Sequence, residues 1–211
     1  MDAGLSGAVL CGGGSRRMGT DKADLMLGGE TLLDRVVGRL TRVADPVILA
    51  GGTRPRHHPG CVSVVDPVPE RGPLGGLVAA LAASPHRLCA VVGVDMPDLS
   101  PNLLRGLADS WSGEQAVVPV MDSRPQPLHA VYSREALSVA EAALTSADLS
   151  LQHLLRHLHV RFVDAADLVG PEEAAACAAS LNTPADVTRW LADRRGPHHP
   201  DAARPSPPGK V

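Results

Sequence analysis

Aromatic residues are almost missing: two tryptophans, one tyrosine and one phenylalanine make up 2% of the 211 residues. Their scarcity removes most of the stacking platforms on which single-stranded nucleic acid is held. A charge excess is missing too. Twenty Lys and Arg against 23 Asp and Glu leave a formal net charge of −3. No basic field therefore draws nucleic acid or an anionic membrane, and neither is expected as a partner. No apolar run approaches the ~18 residues of a membrane span. The apolar start from Leu5 to Cys11 has no basic segment before it and is too short for a secretion signal. A cytoplasmic protein is the expectation. The four cysteines, Cys11, Cys61, Cys89 and Cys177, form no CxxC pair, which favours buried reduced thiols over a zinc site or a disulfide framework.

What the chain does contain is alternation. Strand-like apolar runs occupy residues 7–11, 46–51, 62–66, 88–95, 116–120, 128–133 and 159–165. Helical patterns lie between most of them. The first sets Leu32, Leu33, Val36, Val37, Leu40 and Val43 on one face. Residues 73–84 read as a small-residue helix packed close to a sheet. Ser100 and Pro101 start a third helix as N-cap and first helical residue, and 134–147 and 150–158 supply two more. The last begins at Thr183, Pro184 and Asp186. This order predicts an α/β fold of three layers: a mainly parallel, mixed sheet with helices on both faces. The length suits one domain, residues 1–195. The Pro-rich remainder, 196–211, shows no apolar periodicity and is expected to be a disordered tail.

The stretch "VLCGGGSRRMGTDKADLML" ends an apolar run on three glycines and follows it with cations. Open α/β sheets bind ligands at the C-terminal ends of their strands. Gly12, Gly13 and Gly14 lie at such an end, where glycine lets backbone N–H groups turn around an anion. Arg16, Arg17 and Lys22 add positive charge. The loop suits a polyphosphate. It is not a dinucleotide fingerprint, because Arg17 stands where the third glycine belongs, nor a Walker A loop, because Gly19 is followed by Thr20, Asp21 and Lys22. Asp95 ends the apolar strand "AVVGV", where its hard oxygens suit Mg²⁺ held by few carboxylates with phosphate and water. Asp98 is the candidate for a local turn or capping role. His153, His157 and His159 lie close together, the first two four apart on one helical face, but no Cys or carboxylate nearby completes a tetrahedral zinc set.

"LCGGGSRRMGTDKA" resembles the signature loop of sugar-nucleotide-type nucleotidyltransferases. "VVDPVPERGPLGGL", "VVGVDMPDLSPNLL", "PLHAVYSREAL" and "SLNTPADV" are similar to that superfamily's later blocks, in the same order. Within it the chain looks most like the molybdenum cofactor guanylyltransferases. The resemblance implies Mg²⁺-dependent transfer of GMP from GTP to the terminal phosphate of molybdopterin or its molybdenum-bound form, with pyrophosphate leaving. Molybdenum-insertion proteins and molybdoenzyme chaperones are the further partners it implies. A sister enzyme using CTP or another phosphorylated acceptor, and a non-catalytic guanine-nucleotide-binding adaptor, remain as alternatives.

The resemblance also carries roles. Arg17 and Lys22 hold the triphosphate, with Lys22 at the α-phosphate. Asp95 and Asn182 hold the metal. Leu10, Cys11 and Gly12 line the base through backbone groups, beside Gly13 and Gly14. Gly51 stands where the family often has a base-contacting asparagine. Asp66 contacts the nucleoside, at the base or at the ribose; guanine offers a carboxylate two adjacent donors that cytosine and adenine do not. His129 belongs to an acceptor-side block, with no role assigned.

Overall fold

The computed structural model describes residues 4–12 and 21–194; the expectations for Gly13, Gly14, Arg16, Arg17 and the 196–211 tail fall outside the described residues. Strand β1 (Leu5–Leu10) precedes a one-turn 3₁₀ segment (Lys22–Asp24), a hairpin of β2 (Met26–Leu27) and β3 (Glu30–Thr31), and helix α1 (Leu32–Leu40). Then come β4 (Val47–Ala50), β5 (Cys61–Val64), α2 (Gly72–Ala83), β6 (Leu88–Gly93) and α3 (Pro101–Asp109). Strands β7 (Ala116–Met121), β8 (Arg124–Pro125) and β9 (His129–Ser133) follow. A 3₁₀ turn (Arg134–Ala136) leads into α4 (Leu137–Ala143) and α5 (Leu151–Leu155). The described order ends with β10 (Val160–Asp164), α6 (Ala165–Val169), α7 (Pro171–Cys177) and α8 (Pro184–Arg194).

The sheet runs β10-β7-β9-β6-β1-β4-β5, with β8 on the side of β7. Strand β1 is parallel to β4 and β6, β4 to β5, and β10 to β7. Strand β9 runs antiparallel to both β6 and β7. The sheet is mixed and mainly parallel, as the alternation of strands and helices predicts. The chain leaves β1 toward β4 and β5, then returns to β6 on the other flank. That reversal opens a crevice at the C-terminal ends of β1 and β6, the place where open α/β sheets take ligands.

Central strands are apolar on both faces because both are covered. Val9, Leu49 and Val92 face a core shared with Val36, Leu103 and Trp190. Ala8, Leu10, Ile48 and Val91 face a second core with Leu77, Leu81 and Leu154. Each fully buried leucine contributes about 1.5–3 kcal/mol by leaving water. Helix α2 lies against the sheet because its inner positions are small: a Cβ on Gly76 would stand 3.4 Å from Leu10 Cδ2. Helix α1 opens with a reciprocal capping box between Thr31 and Asp34, a device worth about 1 kcal/mol.

Three expectations need correction. The 134–147 helix is a 3₁₀ turn plus α4, and the 150–158 helix is the five-residue α5. Two short helices, α6 and α7, occupy a stretch to which the apolar pattern assigned nothing. Asp98 is no local cap. Ser100 takes that role, accepting from Leu103 N at 3.0 Å, while Asp98 is buried and bonded to Trp190.

Candidate functional site

The end of β1 is pinned on both flanks. Cys11 N donates to Ala50 O at 2.8 Å, and Val94 N donates to Leu10 O at 3.2 Å. Gly12 then passes so close to the loop after β4 that neither side has room for a side chain. A Cβ on Gly12 would stand 2.5 Å from Gly52 N, and one on Gly51 would stand 2.5 Å from Gly12 N. Gly51 also has φ +117°, outside the region a side chain tolerates.

Two adjoining clefts open here. One, of about 240 Å³, is lined by Leu10, Lys22, Pro73, Asp95 and Leu128, among others. The second, of about 540 Å³, is lined by Gly51, Gly52, Thr53, Arg54, Arg56 and His57. Cys11, Gly12 and Asp21 border both, so they form one groove over the sheet's C-terminal edge.

Lys22, Asp95 and Asn182 meet at one wall. The Lys22 ammonium donates to Asp95 Oδ2 at 3.0 Å and to Asn182 Oδ1 at 2.7 Å. Each is set by its own element. Lys22 heads a 3₁₀ turn capped by Asp21, whose carboxylate accepts from Ala23 N at 3.0 Å. Arg56, from across the second cleft, pairs with Asp21 and with Asp24, the latter at 2.8 Å. Asp95 follows β6, and its carboxylate needs the glycine behind it: a Cβ on Gly93 would lie 2.6 Å from Asp95 Oδ1. The backbone of Asp95 accepts from Leu181 N at 2.9 Å, which brings Asn182 alongside. Thr183, not Asn182, caps α8, accepting from Asp186 N at 3.2 Å. The Asn182 side chain is thus left for Lys22 and for Ser180, to whose hydroxyl it donates at 3.0 Å.

Asp66 holds the loop beneath the second cleft. Its Oδ2 accepts from Gly52 N at 2.9 Å, and its own N–H donates to Gly52 O at 3.0 Å. Burial pushes its carboxyl pKa up against that N–H bond. Its Oδ1 is buried without a hydrogen-bond partner among the described residues. Asp66 is absent from the lining of both clefts; it acts on the groove through Gly52. Burial also raises the Cys11 thiol to about 12, so no thiolate nucleophile is available at this site near neutral pH.

His129 lies in neither cleft. It is fully buried in β9, and burial pushes its pKa down to about 4. His153 and His157 face each other with Nε2 atoms 3.2 Å apart. Among the described residues no group of three or more His, Cys, Asp and Glu side chains is placed to hold a metal.

The structure therefore brings together Leu10, Cys11, Gly12, Lys22, Gly51, Asp95 and Asn182, and sets Asp66 just behind. Arg56 and Gly93 escaped the sequence reading. Arg56 had a usable signal, since "RPRHHPG" is a basic loop at the C-terminal end of a parallel strand.

The chain matches the model of the MobA-like NTP transferase domain over residues 7–164. It is 33% identical over 185 residues to a protein of Pelotomaculum thermopropionicum, covering 87% of this chain and 90% of that one. It is 39% identical over 191 residues to one of Opitutus terrae, covering 88% and 94%. Both are named "Probable molybdenum cofactor guanylyltransferase". The crystal structure of molybdopterin-guanine dinucleotide biosynthesis protein A from Archaeoglobus fulgidus superposes with a TM-score of 0.74 at 24% identity, covering 89% of this chain and 97% of that one.

Proposed function

The chain belongs to the MobA-like NTP transferase family, and on that premise we propose that it transfers GMP from GTP to the terminal phosphate of molybdopterin, or of its molybdenum-bound form. The phosphate oxygen attacks the α-phosphorus of GTP, a new phosphoanhydride forms, and pyrophosphate leaves. The acceptor is anionic at neutral pH, so alignment and charge neutralisation matter more than a general base. The groove's chemistry supports this. It offers an ammonium and two oxygen ligands, while the Cys11 thiol and His129 are both unsuited to proton transfer there.

The observation that carries the reading is the Lys22 ammonium held between Asp95 and Asn182 at the mouth of the sheet. Two hard oxygens already converge on a positive charge, which is the donor set Mg²⁺ uses when phosphate oxygens and water complete its shell. Asp95 and Asn182 are the residues that would hold the ion, which when bound would neutralise charge on the phosphates. Lys22 supplies positive charge at the α-phosphate, and Arg17 shares in holding the triphosphate. The backbone of Leu10, Cys11 and Gly12 lines the base, Gly13 and Gly14 continue the phosphate loop, and Gly51 closes the base side. Asp66 takes its nucleoside role through Gly52, whose N–H it holds at the edge of the second cleft. We assign these duties to one domain, residues 1–195, with 196–211 as a tail, acting in the cytoplasm. Molybdenum-insertion proteins and molybdoenzyme chaperones would deliver its substrate and receive its product.

Purified protein, molybdopterin and Mg²⁺ are mixed with GTP, ATP or CTP in turn. The reading expects pyrophosphate release and a guanine dinucleotide product by mass spectrometry with GTP. Preference for CTP overturns the guanylyl assignment, and nucleotide binding without pyrophosphate release overturns catalysis.

A further inference from the structure

We propose that Asp98, Trp190 and Arg194 form a positioning clamp that sets where Asn182 stands relative to Asp95 and Lys22. The inference rests on the catalytic reading of that wall.

Asp95 and Asp98 lie three residues apart in one loop and face opposite ways. Asp95 reaches the groove. Asp98 points inward with a side chain only 6% exposed, and its Oδ2 accepts from Trp190 Nε1 at 2.6 Å. Arg194, one helical turn further along α8, pairs with the other carboxylate oxygen and lies 3.9 Å from the Trp190 ring centre. Arg35 of α1 lies 5.0 Å from the same ring and donates to Pro97 O at 3.0 Å. The loop and α8 are thereby tied to one another.

Trp190 is the only buried residue of α8, so the hold of this helix on the body is concentrated there. At the other end of the segment, Leu181 N bonds Asp95 O at 2.9 Å. Asn182 stands between these two attachments. A buried carboxylate is costly unless it is paired and hydrogen-bonded. Such a group serves a helix that must hold one register better than an apolar contact, which lets a helix slide. Loosening Trp190 should therefore displace Asn182 before it disturbs the sheet.

Trp190→Phe keeps a ring and deletes the N–H donor. We expect kcat for GMP transfer to fall about tenfold, the size usual for losing a partner behind a ligating residue, with KM for GTP changed less than about twofold. In an Asn182→Ala background the same change should cost nothing more. Without nucleotide, amide exchange at Leu181 and Asn182 should quicken, while the amides of Val9 and Val91 in the central strands stay protected. If Trp190→Phe does not fold, Arg194→Met carries the same comparison, with a smaller loss in the same direction. An unchanged kcat, or an equal loss with and without Asn182, overturns the clamp, as does unaltered exchange at Leu181 and Asn182. If the wild-type protein releases no pyrophosphate from GTP, the catalytic reading fails instead, and the exchange experiment still decides whether the clamp holds Asn182.

Discussion

His129 makes the folded protein sensitive to mild acid, and the size of the effect can be worked out. Its ring is 0% exposed, opposite Val92 across the β6–β9 pair. Neither ring nitrogen has a hydrogen-bond partner among the described residues. Burial lowers its pKa from 6.5 to about 4, so the folded state holds it neutral. Below pH 6.5 the unfolded chain takes up a proton that the folded chain refuses until about pH 4. The unfolded state binds more protons across that interval, and stability must fall as pH falls. At about 1.4 kcal/mol per unit the full interval is worth ~3 kcal/mol, a large share of the roughly 5–15 kcal/mol that holds a domain folded.

His129→Leu removes the titration at similar volume. It also removes two buried polar atoms without partners, each costing on the order of 1–3 kcal/mol where truly unsatisfied. Urea unfolding followed by fluorescence of Trp111 and Trp190 is measured from pH 7.5 to 4.5. The wild type should lose stability steadily below pH 6.5, and the variant should lose about 2 kcal/mol less between pH 6.5 and 5. Asp66 works with the opposite sign. Its raised carboxyl pKa favours the fold at low pH and removes that contribution as pH climbs through its range, and because both proteins carry Asp66 it cancels in the difference. Parallel pH profiles for the two proteins would refute the reasoning, since they would mean that His129 keeps an ordinary proton affinity in the fold.

Four further outcomes follow from the site. Asp95→Asn should abolish Mg²⁺-dependent pyrophosphate release while leaving the melting temperature within a few degrees, because volume is kept; most of the turnover surviving would refute the metal role. Lys22→Ala should lower kcat on the order of 10²–10³-fold, and near-normal turnover would make it a surface lysine. Gly51→Ala forces a Cβ against Gly12 N at φ +117°, and should cost at least about 1–3 kcal/mol in urea unfolding along with GTP binding; wild-type behaviour would mean the two loops yield freely. Asp66→Asn should change the GTP to CTP turnover ratio if the side chain meets the base, and lower both alike if it meets the ribose or only steadies Gly52.

Most strands were legible because a sheet covered on both faces writes itself as continuous apolar runs. The direction of β9 follows from a short link. Residues 122–128 are all that separate β7 from β9, too few for the crossover a parallel pair needs. Helices α6 and α7 were not legible: at five and seven residues each falls short of the window in which a helical period can be read, and Gly170 with Pro171 divides them. Asp98 does sit in a turn, closed by Leu99 N donating to Met96 O at 3.3 Å, but what its side chain does was not legible. Turn chemistry is local, and its neighbours Pro97 and Ser100 suggested a turn, yet the partner that decides its role is Trp190, 92 residues away. The wall of the groove has the same character, since Lys22 meets partners 73 and 160 residues along the chain. Only a family resemblance could nominate those three together.

The glycines show what such a resemblance leaves unsaid. Gly51 occupies a position where the resembled family often has asparagine, and from the sequence it reads as a lost contact to the base. In the fold it is a requirement. Asparagine tolerates a left-handed backbone near +57°, but Gly51 sits at φ +117° with the backbone of Gly12 in the space a Cβ needs. Gly12 in turn cannot carry a side chain because Gly52 fills its space. The two loops are mutually exclusive of side chains, and Asp66 holds one of them down through Gly52. What Gly12 and Gly51 themselves present to the groove is therefore backbone N–H and C=O, held in place by that contact. An asparagine introduced at 51 would displace the Gly12 loop and remove those groups from position rather than add a donor to them.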